Sequence, residues 1–387
     1  MIVIKIMFFV FCFIIFWAMI GYPVSLKVLK RLLKVIPLPK DFSYKPTVTL
    51  MIVAHNEEKV IYEKLNNAIE LDYPIEKLEI LVSSDNSTDK TNDIVKKFIN
   101  EHQNMNIRLY EVKERKGKTN AQNEAAKTVE SEILVMTDAN SILDKNSINE
   151  ITAAFYSDDI SYVKGRLVYI NPNESITSNL ENSYWDLDTS IREIESNIQT
   201  ITGGNGALYA CRTKEYYNFD PIKTHDSAMP LYYALNGKRA IANHKAIAYE
   251  KAGETLEDEF ARKVRINRTI LKVIVPNIRV FNVFKYKWFS YFYFGHRTCR
   301  YLLWISHIII LVTNLILWPQ GLIYKAMLIF QILFYLLALL KKFFNINNKV
   351  TNMVYYYCMT IMAQIIGGYR IITGKAKPFW EKAESTR

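Results

Sequence analysis

The sequence predicts an α/β domain, a sheet covered by helices on both faces, inserted between membrane-spanning helices. Three observations predict it. Apolar residues crowd both ends of the 387-residue chain. The middle alternates short β-forming runs with helical stretches. Three of those runs end in clusters of carboxylate, amide and hydroxyl side chains. Length allows roughly two or three domains of about 150 residues. Hydrophobic residues make up 50% and charged residues 22%, which excludes a disordered chain because folding can bury ample apolar surface.

The net charge of +11 suits nucleic acid, an anionic membrane face or a phosphorylated substrate. Cys12, Cys211, Cys299 and Cys358 stand far apart with no CxxC pair. Neither a structural zinc site nor a disulfide framework is expected.

Residues 2–20 carry one charge, Lys5. About 20 apolar residues span a hydrocarbon core of about 30 Å. Trp17, Met19 and Tyr22 stand where a signal peptide would carry small cleavage-site residues, so 1–24 is expected to remain as an anchor. Lys27, Lys30, Arg31 and Lys34 follow. Basic flanks stay cytoplasmic, which puts the first terminus outside and the following domain, 45–250, inside.

Within that domain Val48–Ala54, Leu78–Ser84, Ile107–Val112 and Ile133–Thr137 read as strands. Helical stretches lie near 57–70, 88–100 and 118–130, with Ile61, Leu65, Ala68 and Ile69 three and four apart. The alternation implies a parallel sheet, and ligands in such sheets bind beyond the carboxyl ends of the strands. The first strand runs into His55-Asn56-Glu57-Glu58, the second ends in Ser83-Ser84-Asp85-Asn86-Ser87-Thr88-Asp89, and the fourth in Thr137-Asp138-Ala139-Asn140. Any one of these could be a helix cap, and Ser87 or Thr88 is expected to be one. Three carboxylate-bearing ends on one edge point instead to a site. Lys116-Gly117-Lys118-Thr119-Asn120 adds a glycine for close backbone approach and lysines for phosphate. It lacks the G-x-x-x-x-G-K-[ST] spacing of nucleotide hydrolases.

Residues 251–300 read as amphipathic interfacial helices. Leu256, Phe260, Val264, Leu271 and Ile274 recur at helical spacing over a predicted helix 256–274, beside Arg262, Lys263, Arg265, Arg268 and Lys272. Arg262 and Arg265 are three apart and share a face, as a diphosphate clamp needs; the same basic helix also suits anionic headgroups. The aromatics of 281–300 with Lys285, Lys287, Arg297 and Arg300 form a headgroup-level belt beside a span, which argues against nucleic acid. Residues 301–318 and 322–340 form an antiparallel spanning hairpin turned at Pro319-Gln320-Gly321, and Lys341, Lys342 and Lys349 mark the return to the cytoplasm. The stretch 351–372 contains Asn352, Gln364 and Arg370 and reads as a helix lying along, or dipping into, the inner interface, with a full crossing as the alternative, ahead of the basic tail to residue 387.

With these motifs in place, the sequence resembles the membrane-bound family 2 glycosyltransferases, the group of cellulose, hyaluronan and poly-N-acetylglucosamine synthases, from about Thr47 to Arg268. The family's D-x-S-T-D loop, D-x-D-like metal motif, T-E-D-like base motif and Q-x-x-R-W helix correspond to Asp85–Asp89, Asp138-Ala139-Asn140, Thr224-His225-Asp226 and Arg262–Ile266. The resemblance implies a glycosyltransferase A-type, Rossmann-like fold in a multi-pass protein of the cell membrane. It implies Asp226 as general base, and Ala54, Asn56, Glu58, Asp85, Lys118, Asp138, Arg262 and Arg265 as nucleotide-sugar contacts. Asp138 and Asn140 would hold Mg²⁺ or Mn²⁺, and Gly204, Asn205, Gly206 and Trp185 would lie along the acceptor path, with Tyr184 and Asp188 nearby.

The reaction it implies is inverting transfer from a cytosolic nucleotide sugar, UDP-linked, onto a growing surface polysaccharide such as a capsule or exopolysaccharide. A single addition to a polyprenyl-linked acceptor is the alternative, and a non-catalytic sensor of nucleotide sugars a third. Partners are the donor, the acceptor and the bilayer, with any chain-conducting channel small or shared within a homo-oligomer. The departures are Asn140 for a carboxylate, His225 for Glu, Arg262 for Gln and Ile266 for Trp. The last bears on processivity, since that Trp contributes to the acceptor position in polymerising synthases.

Overall fold

The computed structural model describes residues 1–170, 176–251, 256–344, 346 and 348–376; for 176–185 it describes the helical backbone alone. The fold divides into two compact units. One comprises the described residues of Met1–Leu29, Thr255–Asn282 and Ser290–Ala376, the other those of Lys30–Glu254 and Val283–Phe289.

The second unit is built on eight strands: β1 (Val48–Ala54), β2 (Leu78–Ser84), β3 (Ile107–Glu111), β4 (Ile133–Asp138), β5 (Ile142–Leu143), β6 (Ile160–Tyr169), β7 (Leu208–Arg212) and β8 (Arg239–Glu250). Their order is β3-β2-β1-β4-β7-β6-β8-β5. The first four strands are parallel, as the alternation predicts. Beyond β4 the expectation of a parallel sheet fails. β7 runs antiparallel to both β4 and β6, and β5 runs antiparallel to β8. β6 and β8 return to parallel pairing, joined by the long connection that such pairing requires.

β1 is buried along its length, and β2 at every residue but Glu79, because both faces are covered. Leu50 and Ile52 face a core with Ile61, Leu65 and Phe98, while Met51 and Val53 face a second core with Ala121, Tyr162 and Tyr209. The chain order reverses between β1 and β4, so the crevice at their carboxyl ends is the expected ligand position. Register aligns those ends: Ala54 pairs with Ser84, and Val53 with Asp138.

Among the described residues, three helices are long and apolar enough to cross a membrane: Ile2–Leu32, Leu303–Gln320 and Leu322–Phe344. The first is longer than the predicted 2–20 and widens into a π turn at Trp17–Gly21. Pro23 causes this, because its ring cannot sit against the carbonyl four residues back and it donates no N–H. The predicted hairpin is antiparallel: His307 bonds Tyr335 at 2.8 Å, and Asn314 turns its amide to Tyr324 and Leu328. Lys349–Ile372 is one continuous helix, opened by a capping box of Asn348 and Thr351.

The single helix predicted over 256–274 is interrupted. Leu256–Ile266 and Ile270–Ile274 are separated by a 3₁₀ turn, Asn267–Thr269. Asn267 donates its side-chain amide to the Lys263 carbonyl at 2.9 Å, the local competition that makes Asn a weak helix former.

Candidate active site

Asp138 ends β4 with a partly exposed carboxylate, and Lys118 opens the helix Lys118–Ala126. Their side chains form an ion pair. Gly206 faces that pair: a Cβ on it would lie 2.7 Å from Lys118 Nζ and 3.0 Å from Asp138 Oδ2. Gly204 meets the base motif, where a Cβ would come 1.9 Å from the Tyr162 hydroxyl and 2.7 Å from the Asp226 carbonyl. Tyr162 Oη donates to that same carbonyl at 3.1 Å. Gly204 and Gly206 are therefore required by close approach, and they bring β4, the Lys118 helix and the Asp226 helix to one locus.

Asp226 lies in the first turn of the helix His225–Leu235. Desolvation raises its pKa above the ordinary carboxylate value; Lys118 lowers it and Asp138 raises it. These influences place Asp226 within electrostatic reach of the Lys118–Asp138 pair. His225, beside it, faces the opposite way. Its ring stacks on Tyr216 at 4.8 Å, sits edge-on to Phe219 and meets the Tyr209 hydroxyl at 3.2 Å. Burial pushes its pKa down to about 3, so His225 is a neutral core residue.

Asp85 sits buried beyond β2. Its Oδ1 accepts the Lys116 N–H at 3.2 Å and its Oδ2 the Gly117 N–H at 2.9 Å. It thus moors the Lys-Gly-Lys loop that delivers Lys118. Asn56 and Glu58, predicted to shape the donor pocket, zip the first two strand ends together. Asn56 Oδ1 accepts the Thr88 N–H at 2.8 Å, Glu58 Oε2 accepts the Lys90 N–H at 3.1 Å, and Asp89 Oδ2 accepts the Glu58 N–H at 3.1 Å. Ala54 contributes its carbonyl, which accepts the Asp85 N–H at 2.8 Å.

Neither Ser87 nor Thr88 caps the next helix. The helix starts at Thr91, and the Asp89 carboxylate receives the Thr91 N–H at 3.0 Å. Asn86 and Asn56 take left-handed φ of 53° and 54°, which spends the intervening residues on a turn.

Asn205 is buried and supports its own loop: its Oδ1 accepts the Leu208 N–H and its amide faces the Gly165 carbonyl, both at 3.4 Å. Asp188 is enclosed in a buried ion pair with Arg192 at 2.6 Å, with Lys164 at 3.8 Å. Arg192 in turn donates to the Gly203 carbonyl, so Asp188 supports the loop of Gly203–Gly206 from behind. Trp185 and Tyr184 lie outside the described side chains. Arg262 and Arg265 belong to the other unit, where Arg262 is held bidentately by the buried Glu259 at 2.6 and 2.9 Å.

The residues present suit a metal that arrives with its own ligands. Among the described residues no three His, Cys, Asp or Glu gather in a metal cage. Asp138 and Asn140 instead offer a carboxylate and an amide oxygen, hard donors of the kind Mg²⁺ and Mn²⁺ take alongside substrate phosphates and water.

Residues 49–223 match the family described as glycosyl transferase family 2, and the site just described sits at the carboxyl edge of that stretch's strands. This segment is a family 2 glycosyltransferase domain. The domain aligns at 26% identity over 163 residues with the beta-monoglucosyldiacylglycerol synthase of Nostoc sp., covering 42% of this chain and 34% of the relative. It aligns at 24% over 225 residues with the poly-beta-1,6-N-acetyl-D-glucosamine synthase of Staphylococcus aureus, covering 56% of this chain and 53% of the relative. The chain therefore spans about a third to a half of the length of these curated relatives. Among solved structures, a mannosyltransferase of Pyrobaculum calidifontis in complex with GDP-Man and Mn²⁺ superposes with a TM-score of 0.74 at 21% identity. It covers 96% of this chain and 99% of the other, a likeness of fold.

Sequence reasoning missed Lys64. It is fully buried beneath the Asp138 loop, and burial pushes its pKa down to about 7. The signal was available: Lys64 interrupts the apolar face defined by Ile61, Leu65 and Ala68 at helical spacing.

Proposed function

We propose that this chain is an inverting, divalent-metal-dependent glycosyltransferase that moves a sugar from a cytosolic UDP-sugar to a hydroxyl of a membrane-borne acceptor. The observation that carries this reading is the convergence of Asp138, Lys118, Gly206 and Asp226 at one sheet edge.

Asp226 accepts the acceptor's proton as the hydroxyl oxygen bonds the anomeric carbon; it need not deprotonate the alcohol outright, because the proton becomes acidic as that bond forms. The bond from the anomeric carbon to the diphosphate oxygen breaks at the same centre, and its electron pair leaves with the nucleotide. Attack opposite the leaving group inverts the centre. Lys118 supplies a point charge to the departing diphosphate. Asp138 and Asn140 would hold a divalent cation, which would offset the charge growing on the leaving group.

For the acceptor, the order of the two expectations reverses. A single addition to a lipid-linked acceptor is supported by Ile266 standing where polymerising synthases carry Trp, and by the glycolipid synthase among the relatives. Elongation of a surface polysaccharide is the second reading, supported by the poly-N-acetylglucosamine synthase. The three apolar helices support a multi-pass location in the cell membrane with the catalytic domain cytoplasmic.

Membranes containing the protein, incubated with a panel of UDP-sugars and Mg²⁺ or Mn²⁺, test the proposal. UDP release with one sugar added per lipid, lost in Asp226→Asn, is the expected result. Release unchanged in Asp226→Asn refutes the assigned base, and a ladder of long products selects the polysaccharide reading.

A further inference from the structure

The helix Ile61–Ile69 turns Ile61, Lys64, Leu65 and Ala68 inward, and Lys64 is 0% exposed. Its Nζ donates to Thr137 Oγ1 at 3.2 Å and to the Ser141 carbonyl. Those two acceptors flank Asp138-Ala139-Asn140, so one amino group grips both ends of the metal-motif tripeptide from behind. The connection continues outward on each side. Thr137 Oγ1 donates its own proton to the Ala207 carbonyl at 2.7 Å, next to Gly206, and Ser141 Oγ bonds the Glu250 carboxylate.

Among the described residues no carboxylate lies within ion-pair distance of Lys64. A buried amino group in that state is costly, and an unbranched apolar side chain of similar length would fill the volume without desolvating a polar group. Local rules of this kind are broken mainly at functional sites. Both hydrogen bonds are available whether the group is an ammonium or an amine, since the neutral form keeps two N–H donors.

We propose that Lys64 is a positioning residue of the transferase: it fixes the curvature of the Asp138–Asn140 turn so that both oxygens face the donor's diphosphate, and through Thr137 it couples that turn to the acceptor-side glycines. The inference rests on the proposed function. Lys64 touches no substrate and acts through the backbone it holds.

The test compares full-length wild type, Lys64→Met and Thr137→Val in detergent or nanodiscs, reading thermal unfolding, binding of Mn²⁺–UDP by calorimetry, and sugar transfer. Displacing a site by about an ångström costs up to about 100-fold. Lys64→Met should therefore lower kcat/KM by roughly 10- to 100-fold and weaken Mn²⁺–UDP binding by roughly tenfold, while its Tm stays level or rises. Thr137→Val should lower kcat with a smaller effect on Mn²⁺–UDP binding, since it cuts the link to Ala207 but leaves the Ser141 contact. Transfer and Mn²⁺–UDP affinity within about twofold of wild type in Lys64→Met, or losses that accompany a lowered Tm, overturn the positioning role. A wild type that neither binds Mn²⁺–UDP nor releases UDP from any UDP-sugar instead brings down the proposed function, and this inference with it.

Discussion

Asp85 Oδ2 accepts the Gly117 N–H at 2.9 Å, and Gly117 does so from φ 95° and ψ 167°. That backbone region is essentially closed to residues with a Cβ, at a cost of order 1–3 kcal/mol. Gly117→Ala should therefore release the Lys116–Lys118 loop from Asp85 rather than unfold the sheet. The expected outcome is a roughly tenfold or greater loss in UDP affinity, measured by calorimetry, with far-UV circular dichroism unchanged. Asp85→Ala should give the same loss, because it removes the other half of the mooring.

Gly204 and Gly206 predict opposite kinds of failure. A Cβ at Gly206 meets only the ends of two flexible side chains, Lys118 Nζ and Asp138 Oδ2. Gly206→Ala should fold with near wild-type Tm and lose transfer activity by separating that ion pair. A Cβ at Gly204 meets the Asp226 carbonyl at 2.7 Å, which is backbone, as well as the Tyr162 hydroxyl. Gly204→Ala should lose stability, by about 1–3 kcal/mol as overpacked sites do, and should show a lowered Tm alongside lost activity.

Under the proposed function, Lys118 and a divalent cation would compete for the Asp138 carboxylate. In the ion pair with Asp138 the lysine neutralises the one carboxylate of the metal motif, and Asn140 adds no charge. Mn²⁺ should bind the nucleotide-free protein weakly and the UDP-loaded protein far better, because the diphosphate draws Lys118 away and brings phosphate ligands. Lys118→Met should reverse the first effect and weaken the second, tightening Mn²⁺ binding without nucleotide while loosening UDP. Paramagnetic resonance of free Mn²⁺ reads both, and unchanged Mn²⁺ affinity in Lys118→Met would count against the competition.

What the sequence made legible was whatever follows from local pattern. Val48–Ala54 and Leu78–Ser84 are strands over those same residues because each is a short apolar run bounded by turn residues. The clustering of Asp85, Lys118 and Asp138 on one edge follows from parallel pairing. The roles within the cluster did not. Asn56, Glu58 and Asp85 turn their side chains to neighbouring loops, a matter of tertiary hydrogen bonding that no spacing encodes. The mixed half of the sheet depends on where β7 and β8 find edges, far along the chain from β4. Lys64 was hidden because a single lysine in an apolar stripe reads as a solvated charge until its surroundings are known.

Asp226 supplies a prediction that separates catalysis from folding. Desolvation leaves its folded-state pKa above 3.8, its ordinary value, with the Asp138 charge adding to the rise. A carboxyl group shifted this way favours the folded state most when protonated, so its contribution is full below the unfolded pKa and is lost as pH rises through the folded one. At neutral pH the ionised carboxylate therefore weighs against folding. Asp226→Asn removes that penalty while keeping shape, so its Tm should exceed wild type at pH 7, by about 2–4 °C for each kcal/mol relieved in a domain of this size. The gain should shrink as pH falls through the folded pKa and vanish near pH 3.8. Thermal scans of the detergent-solubilised pair across pH 3.5–8 measure it. A variant that is more stable at neutral pH yet inactive assigns the lost activity to chemistry; a variant less stable at neutral pH would show that Asp226 is instead held by partners favouring its charge.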